Sequence, residues 1–129
     1  MNVQALVTHL QTQLPHLLAV YLFGSHASGN AGPESDLDVA VLVEGTVPPL
    51  QLWKLSGELA DIVGMHVDLL DLRSASTVMQ YQVIHGKRLW TKNVQAGIYE
   101  SFILSEKTAL DTARASLLKE IQAEGRVHG

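Results

Sequence analysis

Apolar and polar residues follow two different spacings along this chain, and the spacing predicts its secondary structure. Apolar residues recur at helical intervals over 3–14 and predict a first helix, which Pro15 ends. Continuous apolar runs at 17–23 and 39–43 predict two buried strands, the second of which is expected over about 36–43. The stretch 24–35 between them is small, polar and rich in glycine, so we expect it to form a turn and a loop.

The pattern continues as an alternation of helices and strands, followed by one long helix. Pro48 and Pro49 lead into a helix that ends at Gly64, because proline fits the first turn of a helix and glycine its C-terminal cap. The other predicted elements are a third strand at 65–70, a helix at 75–85, an edge strand at 88–90 and an amphipathic helix over 94–124. The apolar stripe of that last helix consists of Tyr99, Ile103, Leu110, Leu117 and Ile121.

The composition is that of one globular domain. The 129 residues suffice for a single hydrophobic core and are too few for two, so 1–129 is predicted to be one domain. We predict no signal peptide, and no apolar run approaches the roughly 20 residues of a membrane helix. The chain has no cysteine, so a reducing cytoplasm is the expected location. The net charge of −4 argues against nucleic acid as a partner, because proteins that bind it normally carry a basic stripe.

The candidate chemistry lies where the first two strands meet the loop between them. Gly24 and Ser25 follow the first strand directly, and after ten more residues Asp36 and Asp38 open the second strand. Side chains at i and i+2 of a strand point to the same face, so these carboxylates are expected to stand side by side. A glycine turn lets backbone N–H groups approach a phosphate, and a serine adds a hydroxyl donor. The combination predicts a divalent-metal site beside a phosphate-binding turn, which is what nucleotide transfer requires.

A third carboxylate is available on the third strand. Asp68 can lie across from Asp36 and Asp38 if the second and third strands are neighbours, and Asp61 and Asp71 are nearby alternatives. Like charges about 4 Å apart cost roughly 4 kcal/mol per pair at an effective dielectric near 20, and a divalent cation or protons would remove that cost. Carboxylate oxygens are the ligands that Mg²⁺ prefers, and two such ions can serve phosphoryl transfer. We therefore predict a magnesium site formed by Asp36, Asp38 and Asp68.

The motif of Gly24-Ser25, ten residues, Asp36-x-Asp38 and a later strand aspartate resembles that of the nucleotidyltransferase superfamily, which includes DNA polymerase β and kanamycin nucleotidyltransferase. In its small size the chain is similar to the minimal nucleotidyltransferase (MNT) group and, more closely, to the MntA-type antitoxins encoded beside HEPT-domain toxins. The resemblance covers about residues 17–90, and the helix after it carries no specific motif. It implies an α/β (α+β) nucleotidyltransferase fold in which helices flank a small mixed sheet.

The resemblance also implies an activity, cofactors and a partner. The reaction would be AMP transfer from ATP, with Mg²⁺ (two ions), onto a tyrosine of the cognate HEPT-type toxin, once or in repeats that build a short AMP chain. The chain would then form a hetero-oligomer with the toxin. Carried over by position, Gly24 and Ser25 would hold the triphosphate, and Asp36 and Asp38 would bind both metal ions. Asp68 would bind the ion that activates the acceptor hydroxyl.

The sequence departs from the family pattern at one position. Ser28 stands where family members commonly have arginine before the glycine that Gly29 represents. One triphosphate contact is therefore missing or supplied elsewhere, and the candidate replacements are His26, Lys87 and Arg88.

Two alternative functions stay open at this point. The chain could modify a small molecule such as an aminoglycoside, although such enzymes usually carry a second domain for the acceptor and this chain lacks the length for one. It could also be a non-catalytic antitoxin that blocks its toxin by binding alone. A pure binder, however, has no need to keep three mutually repelling carboxylates.

We predict that the remaining distinctive side chains are structural. Hard cations favour oxygen ligands, so His66 is expected to be a structural histidine and not a metal ligand. The aromatic residues and the start of the last helix's stripe are expected to pack in the core; these are Trp53, Trp90, Tyr99, Phe102 and Ile103.

Overall fold

A mixed four-stranded sheet forms the centre of the molecule in the computed structural model, which describes residues 2–32, 35–109 and 111. The strands are β1 (Leu17–Phe23), β2 (Leu37–Val43), β3 (Val67–Asp71) and β4 (Lys87–Thr91), in the order β3-β2-β1-β4. β1 runs antiparallel to β2 and β4, whereas β2 and β3 are parallel. The predicted sheet flanked by helices and its edge strand β4 are confirmed.

The helices are α1 (Val3–Gln13), α2 (Ser25–Ser28), α3 (Pro49–Val63) and α4 (Thr77–Ile84), with a 3-10 turn at Leu72–Ser74. A last helix, α5, is helical at 95–109 and 111. Its predicted continuation to 124, with Leu110, Leu117 and Ile121, lies outside the described residues. The loop predicted at 24–35 contains α2, a single helical turn that the composition did not reveal. Among the described residues, no helix is long and apolar enough to cross a membrane.

The sheet is buried because helices cover both of its faces. On one face, α1 and α3 pack against the side chains of Val20, Leu22, Val39 and Val41. On the other face, residues of α4 and α5 pack against Ala19, Tyr21, Ala40 and Leu42. All seven residues of β1 are therefore buried, and this explains why the strand reads as a continuous apolar run and not as an alternating one.

A polar contact joins α5 to the centre of the sheet. The Tyr21 hydroxyl on β1 donates a hydrogen bond of 2.6 Å to Glu100 Oε1 on α5. Arg88 Nη1 on β4 lies 3.2 Å from the same carboxylate oxygen. Burial, followed by the Glu100 carboxylate, raises the pKa of the Tyr21 hydroxyl, which therefore remains a neutral donor. The start of α5 thus occupies a defined position over β1 and β4.

Two of the predicted core residues lie at the surface. Trp53 on α3 is 76% exposed and Phe102 on α5 is 56% exposed, so the expectation that they pack in the core is wrong. Ile103 is fully buried, and Trp90 packs against the core from a partly buried position. Trp53 follows the apolar Leu52 but points away from the face that carries the buried Leu55 and Leu59.

Candidate active site

The site begins at the turn where β1 ends. Gly24 has φ of 73° and ψ of −152°, a conformation that is essentially restricted to glycine. A Cβ atom on Gly24 would also collide with Oδ2 of Asp38, whose Cγ would lie only 3.2 Å away. Glycine at this position therefore serves both the turn and the close approach of the Asp38 carboxylate. Ser25 follows as the first residue of α2.

The strand register brings the predicted carboxylates together. Asp38 on β2 is the partner of Asp68 on β3 and also of Phe23, the last residue of β1. Asp38 shares the face of Ala40 and Leu42, the α4 and α5 side, because side chains alternate along a strand. Asp36 lies just before β2, two residues from Asp38. Asp38 therefore lies beside Gly24 and near Asp36 and Asp68, whose charges affect its pKa. The group whose ligand atoms all lie within 4.8 Å of one another contains Asp36 and Asp68 but not Asp38.

The electrostatics of this cluster disfavour the ionised form of its most enclosed member. The pKa of the half-buried Asp38 is raised, first by burial, then by the negative charges of Asp68 and Asp36, while His26 lowers it to a smaller extent. Asp36 and Asp68 are exposed, so water screens their mutual repulsion. A cation at this position would relieve the repulsion that all three carboxylates share.

His66 lies in the same cluster. Its Nε2 is 3.4 Å from Asp68 Oδ1, and one ligand atom from each of Asp36, His66 and Asp68 lies within 4.8 Å of the others. Within the part of the chain that the structure describes, these three residues form the one group of histidine and acidic side chains whose ligand atoms lie this close together. His66 is exposed and precedes β3 instead of lying within it, so it is not a packed strand histidine, and its exclusion as a metal ligand stays a prediction. The i, i+2 spacing to Asp68 was the signal available in the sequence.

The two alternative acids have other positions. Asp71 is 1% exposed and caps the 3-10 turn: its carboxylate accepts hydrogen bonds from the N–H groups of Val47 (2.8 Å) and Arg73 (3.1 Å) and from the Ser74 hydroxyl (3.2 Å). Asp61 is an exposed residue of α3. Asp68 is therefore the acid of the third strand that joins the cluster.

The three candidate replacements for the missing arginine differ in their availability. Arg88 pairs with Glu100, as described above. His26 Nε2 donates to the Ser35 carbonyl at 3.1 Å, and its ring is close enough to Asp38 to affect the pKa of that residue. Lys87 is exposed at the start of β4, opposite Leu22 near the end of β1. Ser28, in turn, donates through its hydroxyl to the Ser25 carbonyl at 3.2 Å.

The donor set fits a divalent cation. Three carboxylates converge from two adjacent strands, and carboxylate oxygens are the ligands that hard divalent ions take in proteins. The cluster is open to solvent, which leaves room for water and phosphate oxygens to complete a coordination shell. A turn with a glycine-specific backbone lies directly beside it. These features together describe a site for metal-assisted chemistry on a phosphate-bearing substrate.

Comparison with known proteins gives the family to which this fold and this site belong. The family model described as "Polymerase beta, Nucleotidyltransferase" matches residues 4–95. The chain therefore belongs to the polymerase β-type nucleotidyltransferases, and its mixed sheet flanked by helices is the nucleotidyltransferase fold.

Particular relatives are similar over almost the whole chain. Protein adenylyltransferase MntA of Shewanella oneidensis is 34% identical over 124 residues, which cover 95% of this chain and 89% of the relative. A crystal structure of a toxin–antitoxin with AMP-PNP superposes with a TM-score of 0.84 at 32% identity, covering 95% of this chain and 99% of that one. A structure of a tri-AMPylated Shewanella oneidensis HEPN toxin in complex with an MNT antitoxin gives a TM-score of 0.77 at 31% identity, with coverages of 94% and 96%.

Proposed function

We propose that this chain is an antitoxin nucleotidyltransferase, which transfers AMP from ATP to a tyrosine hydroxyl of a cognate HEPT-type toxin and thereby neutralises it. The observation that carries the proposal is the meeting of Asp36, Asp38 and Asp68 beside the Gly24 turn. The 34% identity to a protein adenylyltransferase over 95% of the chain supports this choice of acceptor. The neighbouring structures with AMP-PNP and with a tri-AMPylated toxin support ATP as donor and repeated AMP transfer.

The residues of the site have distinct roles in this proposal. Gly24 gives the turn beside Asp38 the backbone conformation whose N–H groups would bind the triphosphate, and the Ser25 hydroxyl would donate to a phosphate oxygen. Asp36, Asp38 and Asp68 would hold Mg²⁺, with Asp36 and Asp38 shared between two ions. Bound there, Mg²⁺ would lower the pKa of the acceptor hydroxyl and neutralise charge on the departing pyrophosphate. The enzyme's own contribution is to position the reactants and to arrange these charges in advance.

The reaction balances without any further reactant. The tyrosine oxygen forms a bond to the α-phosphorus of ATP, and the bond from that phosphorus to the oxygen bridging to the β-phosphate breaks. Pyrophosphate leaves with the bonding electron pair, and the hydroxyl proton passes to solvent. Each transfer adds one AMP unit, whose own hydroxyl could accept the next.

Intact-mass spectrometry of the toxin tests this function. The toxin is produced with this chain, separated from it, and examined for added AMP units and for recovered toxicity. We expect a mass increase of whole AMP units and a toxin that stays inactive after separation. A toxin that regains activity and shows no added mass would identify this chain as a blocker that acts by binding.

Matched variants separate chemistry from binding. The Asp36→Asn/Asp38→Asn double variant should lose AMP transfer and rescue of growth, while Asp61→Asn, which changes an exposed acid of α3, should retain both. Full rescue by the double variant at equal expression, with no mass change on the toxin, would contradict the proposed function.

A further inference from the structure

His66 brings a nitrogen donor into a cluster that is otherwise built of oxygen. The imidazole is 66% exposed, and Nε2 lies 3.4 Å from Asp68 Oδ1. The potential ligand atoms of Asp36, His66 and Asp68 lie within 4.8 Å of one another, a spacing that one ion could bridge after small side-chain rotations. Asp36 and Asp68 are also residues of the proposed magnesium site, so this imidazole lies beside that site.

The backbone holds His66 in this position. The Leu37 N–H donates a hydrogen bond of 2.9 Å to the His66 carbonyl, at the point where β2 and β3 begin to pair. Leu37 and Val67 are register partners, and so are Asp38 and Asp68. Because residues at i and i+2 share a face, His66 and Asp68 lie on the same side as Asp36 and Asp38. The juxtaposition is therefore a property of the strand pairing.

A mixed set of carboxylates and one imidazole does not suit all divalent ions equally. Mg²⁺ takes oxygen ligands almost exclusively, whereas imidazole suits first-row transition metals and adds to their affinity. We infer that His66 makes the Asp36, His66 and Asp68 position bind a first-row transition-metal ion, with Co²⁺ as the probe, more tightly than Mg²⁺. This inference rests on the proposed function, because it assigns a second property to the same cation site.

Calorimetric titration of the full chain, free of any polyhistidine tag, with CoCl₂ or MgCl₂ alone tests this selectivity. We expect tighter binding of Co²⁺ than of Mg²⁺. His66→Asn should weaken Co²⁺ binding by about tenfold or more, the scale on which loss of a coordinating or supporting group acts, and should change Mg²⁺ binding by less than about twofold. The visible absorption of bound Co²⁺ should change in the same variant, because that spectrum reports the ligands directly.

His16 provides a matched control. Its Nδ1 lies 3.9 Å from Glu44 Oε2, and both side chains are exposed, so it is another surface histidine beside one carboxylate. It lies before β1, at the opposite end of that strand from Gly24. His16→Asn should leave the binding of both ions unchanged.

The outcomes separate this inference from the proposed function. Equal effects of His66→Asn on Co²⁺ and Mg²⁺, or no effect on either, would overturn the inference even where AMP transfer is observed. A persistent Co²⁺ preference that depends on His66, in a chain that transfers no AMP, would support the inference and refute the proposed function. Failure of the unchanged chain to bind Co²⁺ would overturn the inference and leave the proposed function standing, because the phosphate oxygens of ATP would complete the Mg²⁺ coordination shell during AMP transfer.

Discussion

Replacing Asp38 by asparagine should stabilise this protein in the absence of cations while removing its proposed activity. Asp38 and Asp68 are register partners on adjacent strands, which lie about 4.8 Å apart, and we take about 5 Å between their carboxylates for the estimate. Their repulsion amounts to about 1 kcal/mol in water and about 3 kcal/mol at an effective dielectric of 20. Since Asp38 is half-buried and Asp68 is exposed, the water-like value is the better guide.

Asparagine has the shape of aspartate, so the change isolates the charge. No hydrogen bond to the Asp38 carboxylate is present among the described residues, and none is lost. We expect the free energy of unfolding to rise by about 1–2 kcal/mol and Tm by roughly 3–8 °C. The measurement is thermal and urea unfolding in EDTA at neutral pH and low salt. AMP transfer by the same sample should fall below detection.

The pH dependence gives the sign of this effect independently. Burial, Asp68 and Asp36 raise the pKa of Asp38 in the folded protein above its ordinary value of 3.8. Ionisation of Asp38 therefore costs folding free energy above the raised pKa, and this cost disappears at low pH, where the group is protonated in both states. The stability advantage of Asp38→Asn should be full at neutral pH and vanish as the pH falls through the raised pKa toward 3.8.

Two controls make the prediction refutable. Asp61→Asn removes one negative charge from an exposed site on α3 and should change stability by less than about 0.5 kcal/mol. In 1 M salt, where the screening length is about 3 Å, the gain from Asp38→Asn should shrink. A loss of 1 kcal/mol or more for Asp38→Asn in EDTA would show that the carboxylate stabilises the fold, and the picture of a repelling cluster would then be wrong.

Three further substitutions examine the turn and the choice of the third acid. Gly24→Ala should cost roughly 1–3 kcal/mol in unfolding free energy and abolish AMP transfer, because the turn needs φ of 73° and the new methyl group would displace Asp38; a variant with unchanged Tm and activity would contradict the steric argument. Asp71→Asn should lower the unfolding free energy by roughly 1–3 kcal/mol in urea titration, because its buried carboxylate accepts three hydrogen bonds. Asp68→Asn relieves the same repulsion as Asp38→Asn, so it should keep or gain stability and lose AMP transfer; the reverse pattern for these two variants would make Asp71 the acid of the site.

Much of the fold could be predicted from local patterns because those patterns have local causes. The apolar run 17–23 coincides with β1, and a strand buried on both faces has no polar alternation to blur its ends. Proline and glycine mark α3 at both ends, where Pro49 lies in the first turn and Gly64 adopts a left-handed cap with φ of 74°. The pairing of Gly24-Ser25 with Asp36 and Asp38 was readable because a turn and a strand start are set by their own residues.

The features that the sequence did not reveal depend on contacts between segments that are distant along the chain. The parallel pairing of β2 and β3 selects Asp68 over Asp71, since it places one acid opposite Asp38 and turns the other into a buried cap. The same pairing brings the exposed His66 close to Asp36 and Asp68. Trp53 and Phe102 reach the surface because the width of the core decides which apolar side chains of a helix are covered. An apolar side chain lowers the free energy of the folded state when it is buried. Strand register and helix position determine whether a neighbouring side chain is there to bury it.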